Sequence, residues 1–128
     1  MPAANQMCVL IVDDQMSMRG ITRNALHQLG ITKTFEARDG NDALRQLDGV
    51  NLILSDWNMP DMDGLTLLRT VRSRPATRSM PFIMCTGNAS SDFVQSAIKA
   101  GVNNYIVKPF DFNTFKKRIE QVTGALTQ

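Results

Sequence analysis

The chain has 128 residues, a formal net charge of +2, and apolar and charged fractions of 43% and 20%. This composition is typical of one globular domain with its own core and excludes a disordered chain. The small charge does not favour nucleic-acid binding, no apolar run is long enough to cross a membrane, and the N-terminus lacks a signal peptide. We therefore expect a cytoplasmic monomer that binds neither nucleic acid nor membrane.

Five short apolar runs alternate with amphipathic stretches along the chain. The runs predict strands at residues 7–12, 31–37, 51–55, 80–85 and 104–107. The second run is more polar and alternates in character, which is typical of an edge strand. Strands that alternate with helices favour an α/β fold, in which helices cover both faces of a parallel sheet.

Five helices are predicted between and after these strands. Asp39, Ser90 or Ser91, and Asp111 are expected to cap the second, fourth and fifth helices, while Gly30 and Gly101 end the first and the fourth. The second and fourth helices are expected to bury their apolar positions. The apolar positions at helical spacing are Met18, Ile21, Ala25 and Leu29 in the first helix, Ala43, Leu44 and Leu47 in the second, Leu65, Leu68 and Val71 in the third, Val94, Ala97 and Ile98 in the fourth, and Phe112, Phe115, Ile119, Val122 and Leu126 in the fifth.

The two cysteines and the single histidine do not predict a metal or redox site. Cys8 and Cys85 lie within apolar runs, as expected for small buried side chains in a reducing compartment. A metal site built on them would need further Cys or His ligands. His27 is predicted to lie in the middle of the first helix, and we expect no catalytic role for it.

Polar side chains stand where four of the predicted strands end. Asp13 and Asp14 follow the first strand, Asp56 the third, Thr86 the fourth and Lys108 the fifth. Ligands of open α/β sheets bind outside the carboxyl ends of the strands. One such residue on its own is more often a solvated loop residue or a helix cap, but all five in phase with strand ends predict a site.

Three neighbouring carboxylates favour a bound cation. At about 4 Å and an effective dielectric of about 20, each pair of carboxylates repels by about 4 kcal/mol. A hard cation with oxygen ligands relieves this repulsion, and Mg²⁺ is the cation that the residues favour. One carboxylate could then attack phosphorus, while an ammonium and a hydroxyl group hold the transferring oxygens. The residues predict phosphoryl transfer to an aspartate.

Other sites that use similar residues fail on spacing. Aligning Gly64 with the glycine of a calcium-binding loop places Met59 and Thr70 at the first and last ligand positions, where that loop needs carboxylates. Phosphatases of the haloacid dehalogenase type need a second aspartate two residues after the nucleophile, and the run Asp13-Asp14-Gln15-Met16 lacks this spacing. A flavin site needs a phosphate-binding loop after the first strand, where this chain is acidic. Neither a P-loop nor a G-x-G-x-x-G motif occurs.

The chain resembles the receiver domains of two-component response regulators, and among them the single-domain chemotaxis regulators. The resemblance extends from about residue 7 to the last helix and implies the strand order 2-1-3-4-5. It also implies a single domain over residues 1–128, with a core at about 7–126 and no output domain. The motifs that carry it are Val12-Asp13-Asp14, Ser55-Asp56-Trp57-Asn58-Met59-Pro60, Met62-Asp63-Gly64, Thr86-Gly87 and Tyr105-Ile106-Val107-Lys108-Pro109-Phe110.

The resemblance implies a role for each matching residue. Asp56 would be the phosphoacceptor; Asp14, Asp56 and the backbone carbonyl of Asn58 would bind Mg²⁺, with Asp13 acting partly through water. Lys108, joined to Pro109 by a cis peptide bond, would contact the phosphoryl group.

Further residues would give the switch and its output. Thr86 and Tyr105 would move together on phosphorylation and change the face formed by the fourth helix, fifth strand and fifth helix. The remaining residues to which the resemblance gives a role are Lys116, Lys117 and Arg118 on that face, and Asn58 and Asn88, which would tune dephosphorylation. Asn88 departs from the family, in which this position tends to be acidic, as does the slightly positive net charge.

These inferences predict a phosphorylation-activated switch and not an enzyme with an external substrate. A sensor histidine kinase would phosphorylate it, a phosphatase could assist its reversal, and its output would be binding to the flagellar motor switch. One alternative is a phosphorelay intermediate that passes its phosphoryl group to a histidine phosphotransfer protein. A more remote alternative is a Mg²⁺-dependent phosphatase of small molecules. With the implied strand order, one strand separates the two cysteines by about 9–10 Å, which excludes a disulfide.

Overall fold

A parallel sheet of five strands organises the molecule. The computed structural model describes residues 4–87 and 90–124. The strands pair in the order β2-β1-β3-β4-β5, which confirms the doubly wound α/β fold and places the polar second strand at an edge. They are β1 (Cys8–Val12), β2 (Lys33–Ala37), β3 (Leu52–Asp56), β4 (Phe82–Thr86) and β5 (Asn104–Val107).

Within the described residues, five α-helices follow the strands, and a 3₁₀ turn at Ala4–Gln6 precedes β1. Asp39, Ser90 and Asp111 each accept a hydrogen bond from the amide three residues later, as predicted, and Asp63 caps the third helix in the same way. The helices are α1 (Met16–Gln28), α2 (Gly40–Leu44), α3 (Gly64–Ser73), α4 (Ser91–Lys99) and α5 (Phe112–Thr123).

One residue predicted to be buried, and one apolar position at helical spacing in the first helix, are exposed. Ile98 was expected to be buried but is 61% exposed, because α4 turns Ala97 toward the sheet and carries the next residue outward. Ile21 in α1 is 51% exposed, and its neighbour Thr22 is buried instead. The apolar pattern therefore identifies these helices correctly and includes the buried Ala25 and Ala97, but one of its positions in each helix is exposed. Leu126 lies outside the described residues.

The core consists of two apolar layers, one on each face of the sheet. Helices α1 and α5 cover one layer with side chains such as Leu26 and Phe115, and α2, α3 and α4 cover the other. Cys85 belongs to the first layer and Cys8 to the second, and β3 lies between their strands. Both cysteines are buried and free, as expected. His27 lies in the last turn of α1 and not in its middle.

At the amino ends of the strands, Arg72 of α3 joins two loops, the one before β4 and the one before β5. Its guanidinium donates to the carbonyls of Gly101, Arg78 and Met80 and to Asn103 Oδ1, at 2.6 to 3.1 Å. Asn103 Oδ1 also accepts from the Phe82 amide at 2.9 Å, at the start of β4. This end of the sheet is held by one cation that donates only to neutral oxygens.

Between residues 4 and 87 and between 90 and 124, no helix has the length and apolar character that crossing a bilayer requires.

Candidate functional site

The carboxyl ends of β1, β3 and β5 bring four charged residues together. One carboxylate oxygen from each of Asp13, Asp14 and Asp56 lies within 4.8 Å of the other two. The Lys108 ammonium lies 3.3 Å from Asp13 Oδ2 and 3.3 Å from Asp56 Oδ1. Neighbouring parallel strands end at the same edge of the sheet, so residues from distant parts of the sequence meet as predicted.

Asp56 is fixed through one of its two carboxylate oxygens. Oδ1 accepts a 2.8 Å hydrogen bond from the Trp57 amide and is the oxygen nearest Lys108. The side chain is only 12% exposed. Among the residues that the structure describes, none donates a hydrogen bond to Oδ2. The carboxylate is thus held in one orientation with one oxygen left available to a reactant.

The charges of Asp56 and Lys108 are tuned by their surroundings. Burial raises the pKa of Asp56, and the Lys108 ammonium and the Trp57 amide offset part of that rise. Burial disfavours the charged form of Lys108, but the Asp56 and Asp13 carboxylates outweigh it, so the pKa of Lys108 is raised overall. Lys108 therefore remains a cation, and it supplies one positive charge against three carboxylates.

The donor set of this cluster fits a hard divalent cation. All three side chains offer oxygen atoms, which Mg²⁺ prefers, and their spacing lets one ion contact all of them. Asp13 is buried, whereas Asp14 is exposed, so the cluster opens toward solvent on the Asp14 side. Lys108 alone leaves a net negative charge, which a divalent ion would neutralise.

Gly64 allows the Asp56 segment to pack directly against α3. A Cβ atom at this position would collide with the backbone carbonyl of Asp56, and it would come within 3.0 Å of Trp57 Cα. The Gly64 amide also donates to the Trp57 carbonyl at 2.8 Å. The glycine of the Met62-Asp63-Gly64 motif is therefore required by a close approach beneath the site.

Arg19 contacts the cluster and was not among the predicted residues. Its Nη1 donates to the backbone carbonyl of Asp13 at 2.7 Å, and its Nε donates to Glu36 at 3.1 Å. The sequence carried only a weak signal for this contact, since an arginine on an amphipathic helix is usually a solvated residue.

Thr86 and Tyr105 line the same small cavity, of about 10 Å³. Thr86 is buried at the end of β4, and its carbonyl accepts from the Lys108 amide at 2.8 Å. Trp57 lines this cavity too and stacks on Phe93 of α4, with ring centroids 4.7 Å apart. Thr86 and Tyr105, the predicted switch residues, therefore lie beside Trp57, which directly follows Asp56. No sequence pattern pairs Trp57 with Phe93, which lies 36 positions later.

The predicted outer residues differ in how firmly they are held. Lys116 and Lys117 are exposed on α5, whereas the Arg118 guanidinium lies 4.8 Å from the centre of the Tyr105 ring and donates to Asn104 at 3.4 Å. Asn58 is exposed directly after Trp57. The predicted residue Asn88 lies outside the described residues. The bond between Lys108 and Pro109 is cis, as the resemblance implies.

A larger cavity of about 440 Å³ adjoins Lys108 on the side of α1. Gln15, Met18, Ile21, Lys108, Pro109 and Phe110 line it. Met16, at the start of α1, is 76% exposed. An apolar surface therefore borders the charged cluster.

Comparison with known proteins gives consistent results. The model of the response regulator receiver domain matches residues 9–120. The chain is 45% identical over 118 residues to the chemotaxis protein CheY of Pseudomonas aeruginosa, covering 91% of this chain and 95% of the relative. It is 43% identical over 121 residues to CheY1 of Helicobacter pylori, covering 92% and 98%. Its fold is similar to the crystallised CheY4 of Vibrio cholerae, with a TM-score of 0.84 and 31% identity over 91% of this chain and 98% of that one.

Proposed function

The chain belongs to the response regulator receiver domain family, and from this premise we propose that it is a switch activated by phosphorylation of Asp56. The observation that carries the proposal is the meeting of three carboxylates and one ammonium group at the strand ends. Receiver domains of this kind are signalling proteins and not enzymes in the ordinary sense. The proposal includes the cytoplasmic location and the single-domain organisation expected from the sequence.

In the proposed reaction, the Asp56 carboxylate is the nucleophile. The Trp57 amide and Lys108 contact Oδ1, so Oδ2 is the oxygen available to attack phosphorus. A phosphorus–oxygen bond to Asp56 forms while the bond between phosphorus and the donor breaks, and the leaving group departs with that electron pair. The Lys108 ammonium balances the negative charge on the phosphoryl oxygens.

Asp13, Asp14 and Asp56 would hold Mg²⁺, together with the backbone carbonyl of Asn58. When bound, the ion supplies positive charge to the transferring oxygens and removes the repulsion among the carboxylates. The all-oxygen donor set supports this assignment. We propose that Asn58 and Asn88 tune hydrolysis of the phosphorylated state. Asn58 lies two residues after Asp56, and Asn88 lies two residues after Thr86.

Thr86 and Tyr105 are proposed to transmit the change. Both residues line one small cavity together with Trp57, the residue that follows Asp56, and this shared contact supports the idea. A phosphoryl group on Asp56 would draw the Thr86 hydroxyl, and Tyr105 would turn inward. Because Arg118 lies over the Tyr105 ring, movement of the ring would also release or shift a cation on α5.

A sensor histidine kinase is the proposed phosphodonor, and the flagellar motor switch is the proposed target. The relatives named as chemotaxis proteins favour this output over a phosphorelay. The apolar cavity beside Lys108 offers the donor protein a docking surface next to Asp56. Lys116 and Lys117 are proposed to contact the target, for which an acidic motif would be complementary. Binding of a motor-switch peptide that phosphorylation does not strengthen, combined with transfer to a histidine phosphotransfer protein, would favour the phosphorelay.

Trp57 allows a direct test, because the sole tryptophan adjoins the proposed nucleophile. Its fluorescence should change on addition of Mg²⁺ and change again on addition of acetyl phosphate. Asp56→Asn should abolish the second response. Asp61→Asn is the matched control, since Asp61 is an exposed aspartate of the same loop whose φ of 68° asparagine also tolerates.

A phosphodonor response that persists in Asp56→Asn would contradict the assignment. Sustained hydrolysis of small phosphate esters that survives Asp14→Ala would instead support the phosphatase alternative. Loss of both responses in the Asp61→Asn control would show that the fluorescence reports the loop and not Asp56.

A further inference from the structure

The backbone of Asp13 is held from the side opposite to the carboxylate cluster. Its amide donates to the carbonyl of Ala37 at 3.0 Å, and its carbonyl accepts from Arg19 Nη1 at 2.7 Å. Its side-chain oxygens accept from the Gln15 amide at 2.9 Å and from Lys108 at 3.3 Å. Every polar group of this buried residue therefore has a partner, and Arg19 supplies the one to the carbonyl.

Glu36 fixes Arg19 in turn. Glu36 Oε1 accepts from Arg19 Nε at 3.1 Å, and Oε2 accepts from Arg23 Nη1 at 2.7 Å. Glu36 directly precedes Ala37 in β2, so the end of this strand holds Asp13 twice, once through the backbone and once through the Arg19 side chain. The Arg19 side chain is 14% exposed and the Arg23 side chain 42%, so only the former is substantially enclosed.

This arrangement opposes the repulsion within the cluster. The turn at residues 13–14 carries two of the three carboxylates, and it would relieve their repulsion by moving away from Asp56. The bond from Arg19 to the Asp13 carbonyl restrains that movement. Partners that orient metal ligands in this manner govern metal affinity without touching the ion.

We propose that Arg19 is a positioning residue for the cation site and that Glu36 orients it. The inference rests on the proposed function, since it takes the cluster to bind Mg²⁺. Arg19 acts here through geometry and not through its charge, because a nearby positive charge would by itself weaken cation binding. Removing the guanidinium should therefore tighten Mg²⁺ binding if charge dominates and weaken it if position dominates. The two accounts predict opposite signs.

The test measures the Mg²⁺ affinity of the whole chain by titration of Trp57 fluorescence. Arg19→Met keeps much of the side-chain volume but removes the donors and the charge, and it should raise the Kd for Mg²⁺ about ten-fold. Arg23→Met is the matched control. It removes a cation of the same helix that pairs with the same glutamate, Glu36, but that makes no hydrogen bond to Asp13. Its Kd should stay within about two-fold of the parent value.

Two further variants keep the inference falsifiable if Arg19→Met does not fold. Arg19→Lys retains the charge but cannot serve Glu36 and the carbonyl in the same way, and Glu36→Gln retains Arg19 but weakens its anchor. Both should raise the Kd by less than Arg19→Met. Circular dichroism without Mg²⁺ confirms that each variant is folded at the titration temperature.

The inference is overturned if folded Arg19→Met, or both substitute variants where it does not fold, bind Mg²⁺ as tightly as the parent or more tightly. It is also overturned if Arg23→Met weakens binding as much as Arg19→Met, which would indicate a general effect of α1. If Mg²⁺ does not change the Trp57 fluorescence of the parent protein and calorimetry detects no Mg²⁺ binding, the result would instead contradict the proposed function.

Discussion

The two ends of the sheet treat buried charge in opposite ways. At the amino ends of the strands, Arg72 donates to four neutral oxygens and joins two loops. At the carboxyl ends, three carboxylates lie within 4.8 Å of one another with Lys108 as their close cation. The first arrangement pairs every donor of the guanidinium with a nearby oxygen, whereas the second leaves an excess of negative charge. The same fold thus separates an end with satisfied hydrogen bonds from an end with unbalanced charge.

This comparison predicts that substitutions at the two ends change different properties. A change at the Arg72 end should lower stability and leave cation binding intact. A change at the Asp56 end should alter cation binding and can raise stability, because the unliganded cluster opposes folding.

The largest expected effect is on stability at the Arg72 end. Arg72→Met removes the bonds to Gly101, Arg78, Met80 and Asn103, several of which are partly open to water, and should lower the free energy of unfolding by about 2–3 kcal/mol. Urea denaturation followed by circular dichroism measures this change. Arg69→Met, an exposed cation of the same helix, should change it by less than about 0.5 kcal/mol.

The Mg²⁺ affinity of Arg72→Met should equal that of the parent protein, since none of its partners belongs to the acidic cluster. A variant that lost stability and Mg²⁺ affinity together would show that the two ends are coupled and that the comparison fails.

A smaller effect of opposite sign is expected at the Asp56 end. Burial raises the pKa of Asp56 in the folded protein. The contribution of this group to stability is therefore fully present below the ordinary pKa of an aspartate and is lost as the pH rises through the raised value. Asparagine does not ionise, so Asp56→Asn does not lose this stability as the pH rises. Without Mg²⁺ it should be more stable than the parent protein at neutral pH.

The pH dependence distinguishes this cause from a general packing effect. Urea denaturation at several pH values should show that the advantage of Asp56→Asn shrinks as the pH falls through the raised pKa of Asp56 and is gone below the ordinary aspartate pKa. Equal gains at all pH values would indicate that burial of the charge is not the reason.

Saturating Mg²⁺ should make the parent protein more stable than Asp56→Asn, which reverses their order without Mg²⁺. A ligand present at about 100 times its Kd stabilises the folded state by about 2.7 kcal/mol, and Asp56→Asn has lost one of the proposed ligands. Thermal unfolding with and without Mg²⁺ measures both proteins. If Mg²⁺ stabilises Asp56→Asn as much as the parent, Asp56 does not bind the cation.

Much of the fold and of the charged cluster could be predicted because both depend on local patterns. An apolar run followed by Asp13 or Asp56 marks a strand and its carboxyl end, and parallel pairing brings those ends together. The order of the strands required the family resemblance. One apolar position in each of α1 and α4, Ile21 and Ile98, is exposed, since one residue changes the direction of a side chain by about 100° on a helix.

The supporting contacts could not be predicted, since they join elements that are distant in the sequence. Arg19 meets Glu36 only because β1 and β2 pair in one register, and Phe93 meets Trp57 only because α4 packs in the same apolar layer as Trp57. Arg72 likewise reaches Gly101 across 29 positions of the sequence. Sequence patterns identify residues that bear chemistry, whereas the residues that hold them depend on packing geometry.

Direct identification of the modified residue tests the central claim. The parent protein would be treated with acetyl phosphate and Mg²⁺, the acyl phosphate trapped by borohydride reduction, and the peptides mapped by mass spectrometry. We predict modification at Asp56 alone, dependent on Mg²⁺, present in Asp61→Asn and absent from Asp56→Asn. Modification at Asp13, Asp14 or another residue in the parent protein, with Asp56 unmodified, would contradict the account.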